Sequence, residues 1–309
     1  MEWIFLVAGL AILLVAGDCL VKGAVNLALR LGVPALIVSL TVVAFGTSAP
    51  ELLVSIQSVL DGVPGLALGN VVGSNTANVL LVLGVPAILA TMHTAEHDTR
   101  SSYWQMLAAT VLFIALCWAG VLTWISGLVL LAGLVAMLGW SLIEARRARA
   151  DAPPELEGAD PGLGGFRIAL FLVLGLVGLP LGAELLIRGA TTIAQNFGLS
   201  ESVIGLTLVA LGTSLPELAT TVIAALRRQA DVALGNVIGS NMFNLLAITG
   251  VAALVGPIPV DDQFLTFDLW VMAGASLLLI AFVLFRQNLT RVWGILLTAA
   301  YGAYIWSLL

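Results

Sequence analysis

Two patterns recur along the chain at a single offset. TVVAFGTSAPELL, beginning at Thr41, returns as TLVALGTSLPELA at Thr207, and ALGNVVGSNTANVL, beginning at Ala67, returns as ALGNVIGSNMFNLL at Ala233. Both copies lie 166 residues apart, and 21 of the 44 positions in 41–84 are identical in 207–250. The same offset pairs Asp18 with Glu184 and Lys22 with Arg188, and it carries Ile143 onto Leu309. A repeat of this length means one structural unit built twice. The chain therefore divides into 1–143 and 167–309, joined by the polar, Pro- and Gly-bearing stretch 144–166.

Composition says what surrounds these units. Hydrophobic residues make up 60% of the chain and charged ones 10%, too little polar surface to coat a water-soluble domain. No charged residue occurs between Tyr103 and Ile143. As one helix that stretch would be about 60 Å long, twice a bilayer core, so it forms two spans that turn near Ala119–Gly120. Charges and turn residues delimit ten spans, near 3–20, 33–60, 65–90, 102–119 and 122–143, then 168–187, 200–226, 231–255, 265–285 and 289–308. The reading is an all-α membrane protein of ten transmembrane helices. The first apolar run lacks the basic start of a cleavable signal. Cys19 and Cys117 read as small hydrophobes, and the net charge of −6 points to no nucleic-acid partner.

Five spans per repeat is an odd number, so the second repeat must be inverted relative to the first. Basic residues test this separately. With the N-terminus outside, eleven of the twelve Lys and Arg residues fall on the cytoplasmic side and Arg188 alone falls outside. Both termini are then outside and 144–166 is a cytoplasmic linker. Asp61-Gly62 in the first repeat becomes Arg227-Arg228 in the second, as if the loop had changed sides.

The chemistry sits in the repeated motifs. Inverted repeats with interrupted helices place substrate sites at their interface near the bilayer midplane. The interruptions here are Gly46 to Glu51 and Gly212 to Glu217, each carrying a proline. Proline removes an amide N–H and clashes with the carbonyl four residues back, which frees carbonyls at Gly46–Thr47 and Gly212–Thr213. Carbonyls, Ser hydroxyls and a Glu within one turn are hard oxygen ligands suited to Ca²⁺ and Na⁺. Glu51 and Glu217 lie mid-span, where a carboxylate costs at least about 2.5–3.5 kcal/mol, and a symmetric pair could be neutralised by one divalent cation. The competing reading is two protonated structural glutamates. In the second motif, Ser74 and Asn78 share a helix face, as do Ser240 and Asn244. These side chains could ligate an ion or serve as polar glue between helices. Asn70, Asn75, Asn236 and Asn241 read as packing residues or supports for the ligands.

Other polar features carry less. Asp18–Lys22 and Glu184–Arg188 are spaced for ion pairs within a helix end, and His93 and His97 read as part of a solvated loop. Asn288-Leu289-Thr290 matches a glycosylation triplet but falls on the inner face.

The paired GTSxPE and GNxxGSNxxN signatures resemble the two alpha-repeats of the cation/calcium antiporter superfamily, particularly its microbial sodium/calcium exchangers. The resemblance spans both repeats and the linker. It implies Ca²⁺ bound by the carboxylates of Glu51 and Glu217 and the carbonyls of Thr47 and Thr213. It implies Na⁺ at flanking sites built from the same carboxylates, the Ala44 and Ala210 carbonyls, and the hydroxyls of Ser48, Ser214, Ser74 and Ser240. Asn78 would line the centre, as would Asn244. Some exchangers, including potassium-dependent ones, carry an acid at the position of Asn244, so the amide argues against K⁺ co-transport.

The implied function is Na⁺/Ca²⁺ antiport by alternating access in the cell (inner) membrane. That exchange carries net charge and needs no cofactor, no obligate protein partner and no enzymatic step. Spans 3–20 and 168–187, which hold no motif residue, are candidate sliding elements. A Ca²⁺/H⁺ antiporter of the same fold is the nearest rival, although neither GNxxGSN motif supplies the glutamate common in proton antiporters. A cation channel is the rival from another class.

Overall fold

The computed structural model describes residues 2–96, 99–150, 160–196 and 212–308. Polar and apolar residues have exchanged the places they hold in a water-soluble protein. Trp3, Ile4, Leu53, Val111, Trp118, Val135, Val177 and Trp306 are exposed, whereas Glu51, Glu217, Asn78, Asn236 and Ser240 are buried. Lipid tails tolerate the first group, and buried polar side chains must find partners among themselves.

The helices are α1 (Glu2–Leu31), α2 (Ala35–Thr47), α3 (Ala49–Leu60), α4 (Pro64–Leu89), α5 (Arg100–Cys117), α6 (Trp124–Ala150), α7 (Gly165–Asn196), α8 (Leu215–Leu226), α9 (Ala230–Val255), α10 (Phe264–Val283) and α11 (Arg291–Leu308). Among the described residues, six are individually long and apolar enough to cross a membrane, and the bent pair α2–α3 makes a seventh. α8 has 12 residues, and most of the segment expected to precede it in its span lies outside the described residues.

α1 runs well past the apolar stretch that ends near residue 20. Ala24, Val25 and Ala28 keep its inner face buried beyond Lys22, while long basic side chains on the other face can reach toward water. It stops at Gly32, whose φ of +66° ends the helix in the left-handed region, and Pro34 follows. α1 and α7 pack along a shared stripe of glycines. A methyl group added at Gly9 would stand 2.4 Å from the Leu186 amide nitrogen, and one at Gly182 would stand 2.8 Å from that of Leu13. Only glycine permits this approach, the usual device by which membrane helices gain contact without a hydrophobic drive.

Short ribbons tie the two sequence repeats together at both ends of the bundle. β1 (Val121–Leu122) pairs antiparallel with β2 (Ile258–Pro259), and Val260 N donates to the Gly120 carbonyl at 2.9 Å. At the other end Met92 and Leu289 bridge each other through both backbone N–H groups. Met92 and Ile258 are 166 residues apart. Equivalent loops therefore make equivalent clasps at opposite ends.

Of the two expected ion pairs at helix ends, one forms. Lys22 Nζ lies 2.9 Å from Asp18, and Arg227, in the turn after α8, also bonds Asp18 through Nε at 2.6 Å and through its terminal nitrogen. Among the described residues Glu184 and Arg188 form no ion pair. Arg188 instead stands 5.2 Å from the ring centroid of Phe5 on α1, a cation–π contact available because α7 and α1 lie side by side.

Candidate functional site

The break between α2 and α3 bends the chain by 42°. Ser48 stands between the helices at φ −85°, ψ 8°, and Pro50 occupies the first turn of α3. The flanking backbone bonds are Ser48 N to the Ala44 carbonyl at 3.1 Å and Leu52 N to the Ser48 carbonyl at 3.2 Å. The carbonyls of Gly46 and Thr47 fall in the gap, as the proline chemistry requires. The second break copies the first. Ser214 adopts φ −85°, ψ 1°, Pro216 sits in the first turn of α8, and Leu218 N bonds the Ser214 carbonyl at 3.0 Å.

Each break delivers its glutamate to the first turn of the helix that follows, and the repeats exchange contacts there. Glu51 and Glu217 are 1% and 0% exposed. Ser48, from the first repeat, donates to Glu217 Oε1 at 2.9 Å, and Ser240 donates to the same oxygen at 3.4 Å. The Thr47 hydroxyl lies 3.3 Å from the Ala44 carbonyl, 3.3 Å from Asn236 Oδ1 and 3.5 Å from the Ser240 hydroxyl. Asn236 in turn donates to the Glu217 carbonyl and the Thr221 hydroxyl.

The sequence-selected residues divide into those this network joins and those it does not. Glu217, Thr47, Ser48, Ser240 and the Ala44 carbonyl are joined directly. Thr213 and Glu51 belong to a second, matching set around Asn70: the Thr213 hydroxyl donates to Asn70 Oδ1 at 3.5 Å, and the Glu51 carbonyl accepts from Asn70 at 3.2 Å. Asn78 donates to Asn241 Oδ1 at 3.1 Å, so it meets the second repeat directly. Ser74 is buried one helical turn before it on α4. Ser214 and Asn244 are buried, but among the described residues the Ser214 hydroxyl and both polar atoms of the Asn244 side chain have no hydrogen-bond partner. Ala210 lies outside the described residues.

The unpartnered atoms have a pattern. Besides those of Ser214 and Asn244 they include Glu51 Oε2, Glu217 Oε2 and Asn78 Oδ1. Most are acceptors. A buried acceptor without a donor costs about 1–3 kcal/mol, and oxygen lone pairs left open on motif residues of both repeats suit a cation, which draws on them. Among the described residues no group of three or more His, Cys, Asp or Glu could hold a metal. A cation here would draw on the two carboxylates, hydroxyls and carbonyls.

Both central asparagines lie at the start of π-helical segments: Asn78 opens Asn78–Val82 in α4, and Asn244 is the second residue of Phe243–Ile248 in α9. A π turn widens the helix and shifts its side chains, and such turns concentrate at functional positions. No sequence signal distinguished these segments from plain α-helix. The crossed bonds of Asn70 and Asn236 were likewise unread, although both residues stand in the repeated motif.

The family model for the sodium/calcium exchanger protein matches residues 1–143 and 167–309. The chain belongs to the sodium/calcium exchanger family. Two microbial relatives align with it over almost their whole lengths. It is 37% identical over 307 residues to CaxA of Alkalimonas amylolytica, covering 97% of this chain and 96% of the relative. It is 33% identical over 340 positions to the sodium/calcium exchanger MaX1 of Methanosarcina acetivorans, covering 98% and 97%. The solved structure of the sodium-calcium exchanger NCX_Mj, soaked with Na⁺ and Ca²⁺, superposes with a TM-score of 0.83 at 32% identity over 100% of this chain and 98% of that one. The exchanger described here is thus a multi-pass membrane protein and a cation/calcium antiporter, a transporter and not an enzyme.

Proposed function

We propose that this exchanger couples Na⁺ movement to Ca²⁺ movement in the opposite direction by alternating access. The observation that carries the reading is the buried pair Glu51 and Glu217, reached by Ser48 from across the repeat boundary. Two carboxylates in low dielectric cannot both stay charged and empty. One Ca²⁺ neutralises them, and so do two or more Na⁺, but not both loads together. That exclusivity enforces exchange.

In this reading Ca²⁺ is held by the carboxylates of Glu51 and Glu217 with the carbonyls of Thr47 and Thr213. Na⁺ binds on either side, using Ala44, Ser48, Ser74 and Asn78 with their counterparts Ala210, Ser214 and Ser240, and Asn244 lines the centre. An amide at Asn244 adds no third negative charge, so K⁺ is not needed to balance the site. Moving more Na⁺ charge one way than Ca²⁺ charge the other, the cycle carries current and responds to membrane potential.

The architecture proposed around the site is two inverted five-helix repeats, 1–143 and 167–309, joined by a cytoplasmic linker at 144–166. Three observations support it: the 166-residue offset, the equivalent clasps at opposite ends of the bundle, and the positive-inside count. The protein then lies in the cell (inner) membrane with both chain ends outside. A channel gains no support from a site whose glutamates are 1% and 0% exposed.

The test uses Na⁺-loaded proteoliposomes and radiolabelled Ca²⁺ uptake on removal of external Na⁺. Uptake that needs the Na⁺ gradient and is stimulated by an inside-positive potential is expected. Uptake driven by a pH gradient without Na⁺ would move the assignment to Ca²⁺/H⁺ antiport.

A further inference from the structure

Asn70 and Asn236 make the same three bonds in mirrored settings. Asn236 Nδ2 donates to the Glu217 carbonyl at 3.4 Å and to the Thr221 hydroxyl at 3.2 Å, both on α8, the glutamate helix of its own repeat. Its Oδ1 accepts from Thr47, in the break of the opposite repeat, at 3.3 Å. Asn70 Nδ2 donates to the Glu51 carbonyl at 3.2 Å and to the Ser55 hydroxyl at 3.0 Å on α3. Its Oδ1 accepts from Thr213, in the second repeat, at 3.5 Å. Each amide therefore grips its own glutamate helix with its donor end and the other repeat's break with its acceptor end.

No other side chain of this size does both. Aspartate has no N–H to give to a carbonyl, leucine has neither function, and a hydroxyl has one donor for two acceptors. Both ends are used at both symmetry-related places, which a residue serving only to fill space between helices does not require.

We propose that Asn70 and Asn236 are positioning residues that couple the two halves of the ion site. Resting on the reading in which Thr47, Thr213, Glu51 and Glu217 hold the ion, each asparagine locks one repeat's glutamate to the other repeat's threonine. A ligand that settles on one half then sets the geometry of the other, and Ca²⁺, which needs both carboxylates at once, gains from it more than Na⁺ does. The two straps differ in access. Asn236 and Thr47 are 0% and 1% exposed, whereas Asn70 and Thr213 are half-buried. The Asn236 strap is therefore the stronger.

The test is a pair of double-mutant cycles on the full-length exchanger, read as the KM for Ca²⁺, the maximal rate and the Na⁺ concentration that half-inhibits Ca²⁺ uptake. Thr47→Val raises the Ca²⁺ KM about ten-fold, the size of one lost buried hydrogen bond, and Asn236→Ala, which loses three bonds, raises it at least as much. They change the Na⁺ dependence less. The Thr47→Val/Asn236→Ala double variant is no worse than the poorer single one, because both remove the same Thr47–Asn236 bond, whereas Thr213→Val and Asn236→Ala multiply. Thr47→Ser, which keeps the hydroxyl, recovers most of the Thr47→Val loss.

Effects of Thr47→Val and Asn236→Ala that multiply would overturn the proposal, as would equal losses of Ca²⁺ and Na⁺ affinity. Thermal unfolding in detergent gives the same cycle for any variant too inactive to assay, with the same coupling expected and additivity again overturning it. Glu217→Gln serves as the separate control. If it retains exchange, the ion-site reading fails, and if it is inactive while the cycle is additive, only the strap fails.

Discussion

The glutamate-bearing first turns of α3 and α8 and the turns that close those same helices sit about 10 residues apart on the same elements, yet they follow opposite rules. At the first turns the two repeats agree residue for residue: Gly-Thr-Ser, Pro and Glu recur, and both serines take nearly the same backbone angles. At the closing turns the backbone agrees and the chemistry does not. Gly62 and Arg228 both have positive φ, +76° and +59°, but Asp61-Gly62 stands against Arg227-Arg228. A bound ion makes the same demands whichever way a repeat is inserted, so the centre is duplicated. In the proposed inverted arrangement the turns face opposite sides of the membrane, so their charges follow the side.

The divergence has a mechanical consequence. Arg227 ties Asp18 of α1 to the core at one end of the bundle. The equivalent pair at the other end is Glu184 with Asp61, two acids that cannot bond as ions. α1 is therefore tethered at one end, and α7 holds Arg188 against α1 instead of against the core.

The largest expected effects break the matched centre. Glu51→Gln and Glu217→Gln should each abolish Na⁺-driven Ca²⁺ uptake, with losses above about 100-fold, since removing one partner of a buried charged site strands the rest. Uptake that survived either substitution would show that the two copies are not one site.

Next comes a difference within the centre. Ser48 donates to Glu217 Oε1 at 2.9 Å, whereas the Ser214 hydroxyl has no protein partner among the described residues. Ser48→Ala should cost about 1.5–3 kcal/mol in the stability of the ion-free protein, measured as a shift in thermal unfolding. Ser214→Ala should cost under about 0.5 kcal/mol without ions and express its effect only in Na⁺ affinity. Equal shifts in ion-free unfolding would erase the distinction.

The closing turns should respond more gently. Arg227→Gln removes a half-exposed ion pair worth about 0.2–1 kcal/mol. The expected result is a two- to five-fold change in the ratio of Ca²⁺ affinities on the two faces, absent in about 1 M salt. Smallest of all is Arg228→Gly. It relieves a left-handed arginine, at most about 1 kcal/mol, and should raise the unfolding temperature slightly while leaving uptake rates alone.

Much of this was legible before any coordinates. The 166-residue offset, the charge-free stretch from Tyr103 to Ile143, and the mid-span Glu51 and Glu217 point to a duplicated membrane chain and to two acids that the structure buries. Pro50 and Pro216 marked the breaks because proline acts on its own backbone, whatever surrounds it. Local signals did less well at helix ends. α1 extends to Leu31 past Lys22 because the far side of the helix, not its average hydropathy, is what packs.

What the sequence by itself determined were the features written in one segment at a time: helix breaks, the buried acids and the repeat that multiplies them. Only the tertiary structure decided the pairings across the repeat boundary, namely Ser48 with Glu217, Thr47 with Asn236, Asn78 with Asn241, and Arg188 with Phe5 rather than Glu184. A hydrogen bond is fixed by distances of a few tenths of an ångström between groups that are far apart in the chain. Those distances come from how closely glycine-bearing helices such as α1 and α7 approach, a property of two surfaces together and of neither alone.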